Sequence, residues 1–395
     1  MTEVGNHTSL QRDFGAPVLA VCGYSGSGKT TLLEAAIPQL VARGLSVAVV
    51  KHDAHGFIVD QEGKDSDRLF RAGATVALRG PKEQFLRSRA STTMALEATL
   101  AEMARDHDVV LVEGHKDTPL AKLWLCSAEI SHPPKQVTEV RDLLPWNSDR
   151  LKQFLDYVDQ WLPEAWLRRP LFAGLLMGGG SQRMGTPKQV MRFGDSSLGE
   201  IAGCALGDAL ERFARLQPNA RERSLYPNLI LLGAGQIPDA LLQQRRLLDP
   251  PDLAGPVAGL LAAHRWSPTA AWVVSACDHP WLSLQEIEAL LRERKAGRWA
   301  IVSRQLDGHP CPTLAIYEPQ ALHLLERSFW TRGEDIRLSQ LLEDPHTWIS
   351  PHGARGSESV NTPQEFRAAQ DQARHESQPN QGRCRQREKR DKPKL

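Results

Sequence analysis

No stretch of the 395-residue chain reaches the roughly 18 uninterrupted apolar residues that a membrane-crossing helix needs. Glu3 and Asp13 precede the first apolar run, so the basic, apolar, small-residue order of a secretory signal is missing too. A cytoplasmic, non-membrane protein is the expectation. The six cysteines (Cys22, Cys126, Cys204, Cys277, Cys311 and Cys384) include no pair at the close spacing of a zinc or redox motif, and are expected to be reduced, mostly buried thiols. Charge of one sign is lacking as well: 48 Lys and Arg stand against 47 Asp and Glu. That balance argues against a general polyanion-binding surface, and so against nucleic acid as a partner.

What is present suits an ordinary water-soluble chain: 41% hydrophobic residues, 30 glycines and 24% charged residues. At about 150 residues per domain the length predicts two or three domains. Short apolar runs alternate with helix-length segments twice over, which predicts two α/β domains, at 16–163 and 170–372. In the first, strands are expected at Pro17–Cys22, Ser46–Lys51, Thr75–Arg79, Asp108–Glu113 and Lys122–Cys126, with helices at Lys29–Ala42 and Thr92–Asp106. In the second, strands are expected at Leu171–Met177, Asn228–Leu232, Ala271–Cys277, Ala300–Ser303 and Thr313–Tyr317, with helices at Gly199–Leu216, Pro256–His264 and Leu284–Ala296. Leu151, Phe154, Leu155, Val158 and Leu162 share one helical face, and Pro163 is expected to stop that helix and open a stiff connection to Pro170. Residues 375–395 carry seven Lys and Arg, three Asp and Glu and almost no large apolar side chain, the composition of a disordered basic tail.

Two glycine-rich loops carry the chemistry. The first, Gly23-Tyr-Ser-Gly26-Ser27-Gly28-Lys29-Thr30, matches the phosphate-binding pattern G-x-x-x-x-G-K-[ST], and it lies after a strand and before a helix as that pattern requires. Backbone N–H groups of the loop and the helix N-terminus, continuing through Thr31, would cradle phosphate oxygens; Lys29 supplies a charge for the β/γ-phosphates and Thr30 a ligand for Mg²⁺. Glu113, ending the run Asp108–Glu113, is the carboxylate expected to hold the metal or its water. His52 and His55 could ligate a metal, but no third ligand accompanies them.

The GYSGSGKTT loop, with KHDAHG, GKDSDRLFRAGA and LVEGHK in the same order, resembles the molybdopterin-guanine dinucleotide biosynthesis adaptor proteins over residues 16–163. The resemblance implies a GTP-binding P-loop domain, generally dimeric and weakly hydrolytic. Its partners would include molybdoenzyme apoproteins and other cofactor-biosynthesis proteins. The segment after LVEGHK departs from the family, since Thr118–Cys126 lacks the expected arginine.

The second loop, Leu176-Met177-Gly178-Gly179-Gly180-Ser181-Gln-Arg183-Met184-Gly185-Thr-Pro187-Lys188, also follows an apolar strand but lacks the G-K-[ST] ending. Three glycines permit close backbone approach to a triphosphate and base, while Arg183 and Lys188 can neutralise charge on transferred and leaving phosphates. Such chemistry needs a divalent cation, and Asp278, delivered by the strand before Pro280, is the candidate ligand. Asp249 precedes the turn that opens at Gly255-Pro256; capping that turn is the alternative for Asp249 and Asp252.

LMGGGSQRMGTPK, DPPDLAGPVAGL, SACDHP and the Asn361-Thr-Pro segment together resemble the molybdenum cofactor guanylyltransferases over about 170–370. In that family the loop and its lysine bind GTP, the acids matching Asp278 and Asp249 contact Mg²⁺-GTP and nucleotide, and the asparagine matches Asn361. Pro187 and Met177 depart from the residues usual there. Gly178, where related cytidylyltransferases carry Ala, favours guanine. The resemblance implies a natural fusion that transfers GMP from GTP to molybdenum-bound molybdopterin, releasing pyrophosphate, with the first domain assisting. The alternatives are a P-loop regulatory GTPase or chaperone with a non-catalytic second module, or a cytidylyltransferase for the same cofactor.

Overall fold

Each half of the chain builds its own sheet in the computed structural model, which describes residues 14–51, 53, 59–89, 96–178, 184–216, 229–251, 253–332 and 336–377. The units divide between Trp166 and Leu167, and both are α/β as expected.

The first unit runs β1 (Val18–Gly23), α1 (Lys29–Ala42), β2 (Val47–Lys51), α2 (Asp65–Arg71), β3 (Val76–Arg79), β4 (Gln84–Arg87), α3 (Leu96–Ala104), β5 (Val109–Glu113), β6 (Lys122–Leu125), β7 (Val140–Leu144) and α4 (Arg150–Leu167). Five strands form a parallel sheet in the order β2-β5-β1-β6-β7. The continuous apolar runs of β1 and β5 are buried along their length, as central parallel strands covered on both faces must be. β7 escapes the sequence pattern because Arg141 and Asp142 interrupt it, which an edge strand tolerates. The expected strand at Thr75–Arg79 forms, but outside the sheet: β3 pairs antiparallel with β4 in a two-stranded ribbon. Leu78 and Leu86 are exposed there, so this ribbon lacks the two apolar faces that a place in the parallel sheet demands. Of the helix expected at Thr92–Asp106, residues 92–95 lie outside the described residues.

Pro163 does not stop α4, which continues to Leu167. A proline removes the hydrogen bond to the carbonyl four residues back, here that of Asp159. Asp159 and Pro163 are both on the exposed face, where water can satisfy that carbonyl. On the opposite face the extra turn buries Trp166 completely beside Leu162, which outweighs the lost bond.

The second unit runs β8 (Leu171–Leu176), β9 (Arg192–Phe193), β10 (Ser196–Ser197), α5 (Leu198–Arg215), β11 (Leu229–Leu232), β12 (Arg245–Leu247), α6 (Pro256–Trp266), β13 (Ala271–Ala276), α7 (Leu284–Arg292), β14 (Ala300–Arg304), β15 (Pro310–Tyr317), α8 (Pro319–Arg332), β16 (Thr347–Gly353) and α9 (Pro363–Ser377). Its seven-stranded sheet has the order β12-β11-β8-β13-β15-β14-β16. β12, β11, β8 and β13 are parallel, and β15 runs antiparallel to both neighbours. From β8 the chain first winds outward through β11 and β12, then crosses back to β13 on the other side. This reversal is the switch point where open α/β sheets leave a crevice at their carboxyl ends. Capping boxes start α5, through Ser197 and Glu200, and α7, through Ser283 and Glu286. Of the tail expected at 375–395, His375–Ser377 belong to α9, and residues 378–395 lie outside the described residues. No described helix is long and apolar enough to cross a membrane.

Trp166→Ala is expected to destabilise the first unit by about 3–5 kcal/mol in urea unfolding followed by circular dichroism. A helix that ended at Pro163 would make the substitution nearly neutral.

Candidate functional site

In the first unit β1 delivers its loop at the carboxyl edge of the sheet, between β5 and β6. Gly23 closes β1, and a Cβ there would come 2.5 Å from Ser27 Oγ and 2.7 Å from the Leu125 carbonyl. Gly26 is exposed and Ser27 fully buried. Gly28 caps α1 at φ 88°, in the left-handed region, which leaves Lys29, Thr30 and Thr31 to form the first turn. That turn contains no acidic residue, so its positive end is open to an anion. Lys29 Nζ folds back over the loop and donates to the carbonyls of Gly23 (3.1 Å) and Tyr24 (2.8 Å). Burial lowers the pKa of Lys29 below its ordinary value, with Glu113 opposing.

Glu113, at the end of β5, comes to the same place. Thr30 Oγ1 donates to Glu113 Oε1 at 2.8 Å, and Lys51 Nζ lies 3.3 Å from the same oxygen. These hard oxygen donors fit a magnesium ion. His52 and His55 lie outside the described residues.

Arg150, invisible to the motif search, fastens this loop. The first residue of α4 donates through Nη1 to the Ser27 carbonyl at 2.8 Å, through Nη2 to the Cys126 carbonyl, and through Nε to the Pro145 carbonyl at 2.9 Å. Its guanidinium also sits 5.0 Å from the Trp146 ring centroid. Nothing in the sequence separates Arg150 from a surface arginine, because the contact spans 123 positions.

In the second unit Leu176, Gly178, Leu232, Pro256, Asp278 and Asn361 are among the residues lining a cavity of about 230 Å³ at the switch point. Gly179, Gly180 and Arg183 lie outside the described residues. Met177, an expected nucleotide contact, has its side chain buried in the core and its amide donated to the Leu232 carbonyl at 2.7 Å. It therefore contributes packing, and Gly178 is the described loop glycine that lines the cavity. Behind it, a Cβ at Gly235 would overlap the Met177 carbonyl. Arg246 holds that turn by donating to the carbonyls of Gly233 (2.7 Å) and Gly235 (2.8 Å). The signal for it was the Gly-Ala-Gly that follows the apolar run of β11.

Asp249 stands beside this turn, its Oδ2 3.9 Å from the position of a Cβ on Gly178. Burial raises the pKa of its carboxyl, with Arg246 pulling it down. It is thus at the loop rather than confined to capping the later turn; Asp252 lies outside the described residues.

Three distant segments meet at one ammonium group. Lys188 Nζ donates to Asp278 Oδ2 at 2.9 Å and to Asn361 Oδ1 at 2.8 Å. Asn361 is held by the start of α9, where Thr362 and Glu365 form the reciprocal bonds of a capping box and the Glu365 carboxylate also accepts from the Asn361 amide at 2.6 Å. The Val360 amide donates to the Asp278 carbonyl at 3.0 Å. Below it, the fully buried His279 places Nδ1 3.2 Å from the Glu358 carbonyl and Nε2 3.4 Å from Thr313 Oγ1. Asp278 Oδ2 and Asn361 Oδ1 already converge on one cation, so the donor set fits Mg²⁺.

Arg150→Ala is expected to raise deuterium uptake across residues 23–30 about tenfold or more, since a hydrogen bond to a charged group contributes about 1.5–3 kcal/mol. Unchanged uptake would remove Arg150 from the account.

Comparisons with known proteins divide the chain in the same way. Residues 18–146 match the family described as "Molybdopterin guanine dinucleotide synthesis protein B", and residues 173–347 the family described as "MobA-like NTP transferase domain". The first part is similar to the molybdopterin-guanine dinucleotide biosynthesis adapter protein of Haemophilus influenzae, with 37% identity over 161 residues, covering 37% of this chain and 89% of that protein. Another relative is the probable molybdenum cofactor guanylyltransferase of Bacillus licheniformis, with 28% identity over 169 residues, 43% of this chain and 78% of that one. A third is the molybdenum cofactor biosynthesis bifunctional protein of Synechocystis, with 25% identity over 171 residues, 43% of this chain and 44% of that protein.

Proposed function

Since the chain belongs to the molybdopterin-guanine dinucleotide biosynthesis adapter family through its first unit and carries a MobA-like NTP transferase domain in its second, we propose that it transfers GMP from GTP to molybdenum-bound molybdopterin. The products are molybdopterin guanine dinucleotide and pyrophosphate. The observation that carries this reading is that Lys188 joins Asp278 and Asn361, two residues that line the cavity.

A terminal phosphate oxygen of molybdopterin attacks the α-phosphorus of GTP. A new P–O bond forms there as the bond to the β-phosphate bridging oxygen breaks, and pyrophosphate leaves with that electron pair. A phosphate monoester is largely ionised at pH 7, with a second pKa of about 6, so no strong general base is required. The work left to the protein is alignment and charge neutralisation. Gly178, with Gly179 and Gly180 in the same loop, lets backbone amides approach the nucleotide, and Asp249 stands beside it. Lys188 exchanges its carboxylate partner for phosphate oxygens, and Arg183 adds a second cation. Asp278 and Asn361 would hold Mg²⁺, which when bound supplies charge neutralisation on the triphosphate.

The first unit, in this reading, binds GTP through its own loop, with Lys29 on the phosphates and Thr30 and Glu113 toward Mg²⁺. It assists the transferase by covalent tethering, which raises local concentration without any new contact.

Asp278→Asn keeps the shape of the side chain but removes its charge. Pyrophosphate release from GTP and molybdopterin is expected to fall about 10²- to 10³-fold, the range for losing one preorganised electrostatic partner. An active variant with undiminished Mg²⁺ dependence would overturn the assignment.

A further inference from the structure

At the far end of α6 from the cavity, two histidines and a glutamate converge from two helices. Pro256 starts α6 at the cavity wall, and His264 lies eight residues on, about 12 Å along the axis at 1.5 Å per residue. His323 and Glu326 are three apart on α8, a spacing that puts both on one helical face. Donor atoms of His264, His323 and Glu326 all lie within 4.8 Å of one another. His264 is buried and the other two are half-buried.

The glutamate is oriented by a neighbour. Arg265 Nε donates to Glu326 Oε1 at 2.9 Å, which leaves Oε2 facing His264 Nε2 at 3.6 Å. An outer partner of this kind fixes a ligating carboxylate. The imidazoles of His264 and His323 stand 6.2 Å apart by ring centroids, tilted by 56°. A zinc ion with ligands at about 2.0–2.2 Å separates its donors by roughly 3.3 Å, so small side-chain rotations would close the triad on one ion. Two imidazole nitrogens and one carboxylate oxygen suit a first-row transition ion and not magnesium, which takes oxygen donors.

We infer that His264, His323 and Glu326 form a binding site for a divalent transition-metal ion of the zinc class, clamping α6 to α8 and separate from the nucleotide chemistry. Three protein ligands leave a fourth position for water. Metal that binds the folded chain and not the unfolded one stabilises it, by an amount that grows with the logarithm of free metal above the dissociation constant.

The test uses the full chain, stripped with chelator and dialysed against Zn²⁺ in excess Mg²⁺. Metal analysis is expected to find one more zinc per chain in the parent than in either His323→Ala or Glu326→Gln. Zinc should raise the melting temperature of the parent and leave that of each variant where it stands without metal. Equal zinc content in parent and variants, or displacement of the zinc by Mg²⁺, would overturn the site. Should either variant fold poorly, the parent loaded with one Co²⁺ decides. Visible bands of a nitrogen and oxygen ligand set support the triad, and a thiolate charge-transfer band in the near ultraviolet contradicts it.

Discussion

An ammonium group held between a carboxylate and an amide oxygen organises the second unit. Lys188, Asp278 and Asn361 are separated by 90 and 173 positions from lysine to each partner. Each arrives by a different device. Lys188 sits in the 3₁₀ turn after the glycine loop, Asp278 follows the buried strand β13, and Asn361 precedes a helix whose capping box fixes the backbone on either side of it. The Asp278 carboxylate and the Asn361 amide oxygen both accept from that one ammonium group. In the proposed reading the same geometry marks where a metal and a triphosphate would be neutralised.

The two units solve a common problem with unrelated loops. A phosphate must be met by backbone N–H groups, which requires glycines at the carboxyl end of a buried strand and a lysine close by. In the first unit the lysine belongs to the helix that follows the loop and folds over it, onto the carbonyls of Gly23 and Tyr24. In the second it lies beyond the loop and reaches an acid on the neighbouring strand. Outside its basic last residues the chain is slightly acidic, so bulk attraction does not explain how anionic substrates are held. In the proposed reading local groups do it, and the glycine loops and their lysines are the candidates.

Much of this was legible in the sequence because strong local constraints leave strong local patterns. The loop ending Gly28-Lys29-Thr30, the strand ending at Glu113, the strand ahead of Asp278 and the Gly255-Pro256 helix start all reflect residues with few alternatives. Long-range satisfaction leaves no such pattern. Arg150 and Arg246 look like surface arginines until the fold brings backbone carbonyls to them. The edge strands β7, β12 and β16 carry charge or proline, since one side of each meets no partner. Pro163 misleads because its cost in the helix is outweighed by the burial of Trp166 one turn on, and burial is a property of the fold. Met177 reads as part of a binding loop, yet its position one residue past a central strand sends its side chain into the core.

The most direct measurement incubates the protein and molybdenum-bound molybdopterin with Mg²⁺ and each of the four nucleoside triphosphates in turn, then identifies the product by mass. The account expects a single guanine dinucleotide, formed with GTP and accompanied by one pyrophosphate per product. A cytosine dinucleotide, or GTP hydrolysed to GDP with no dinucleotide, would contradict it.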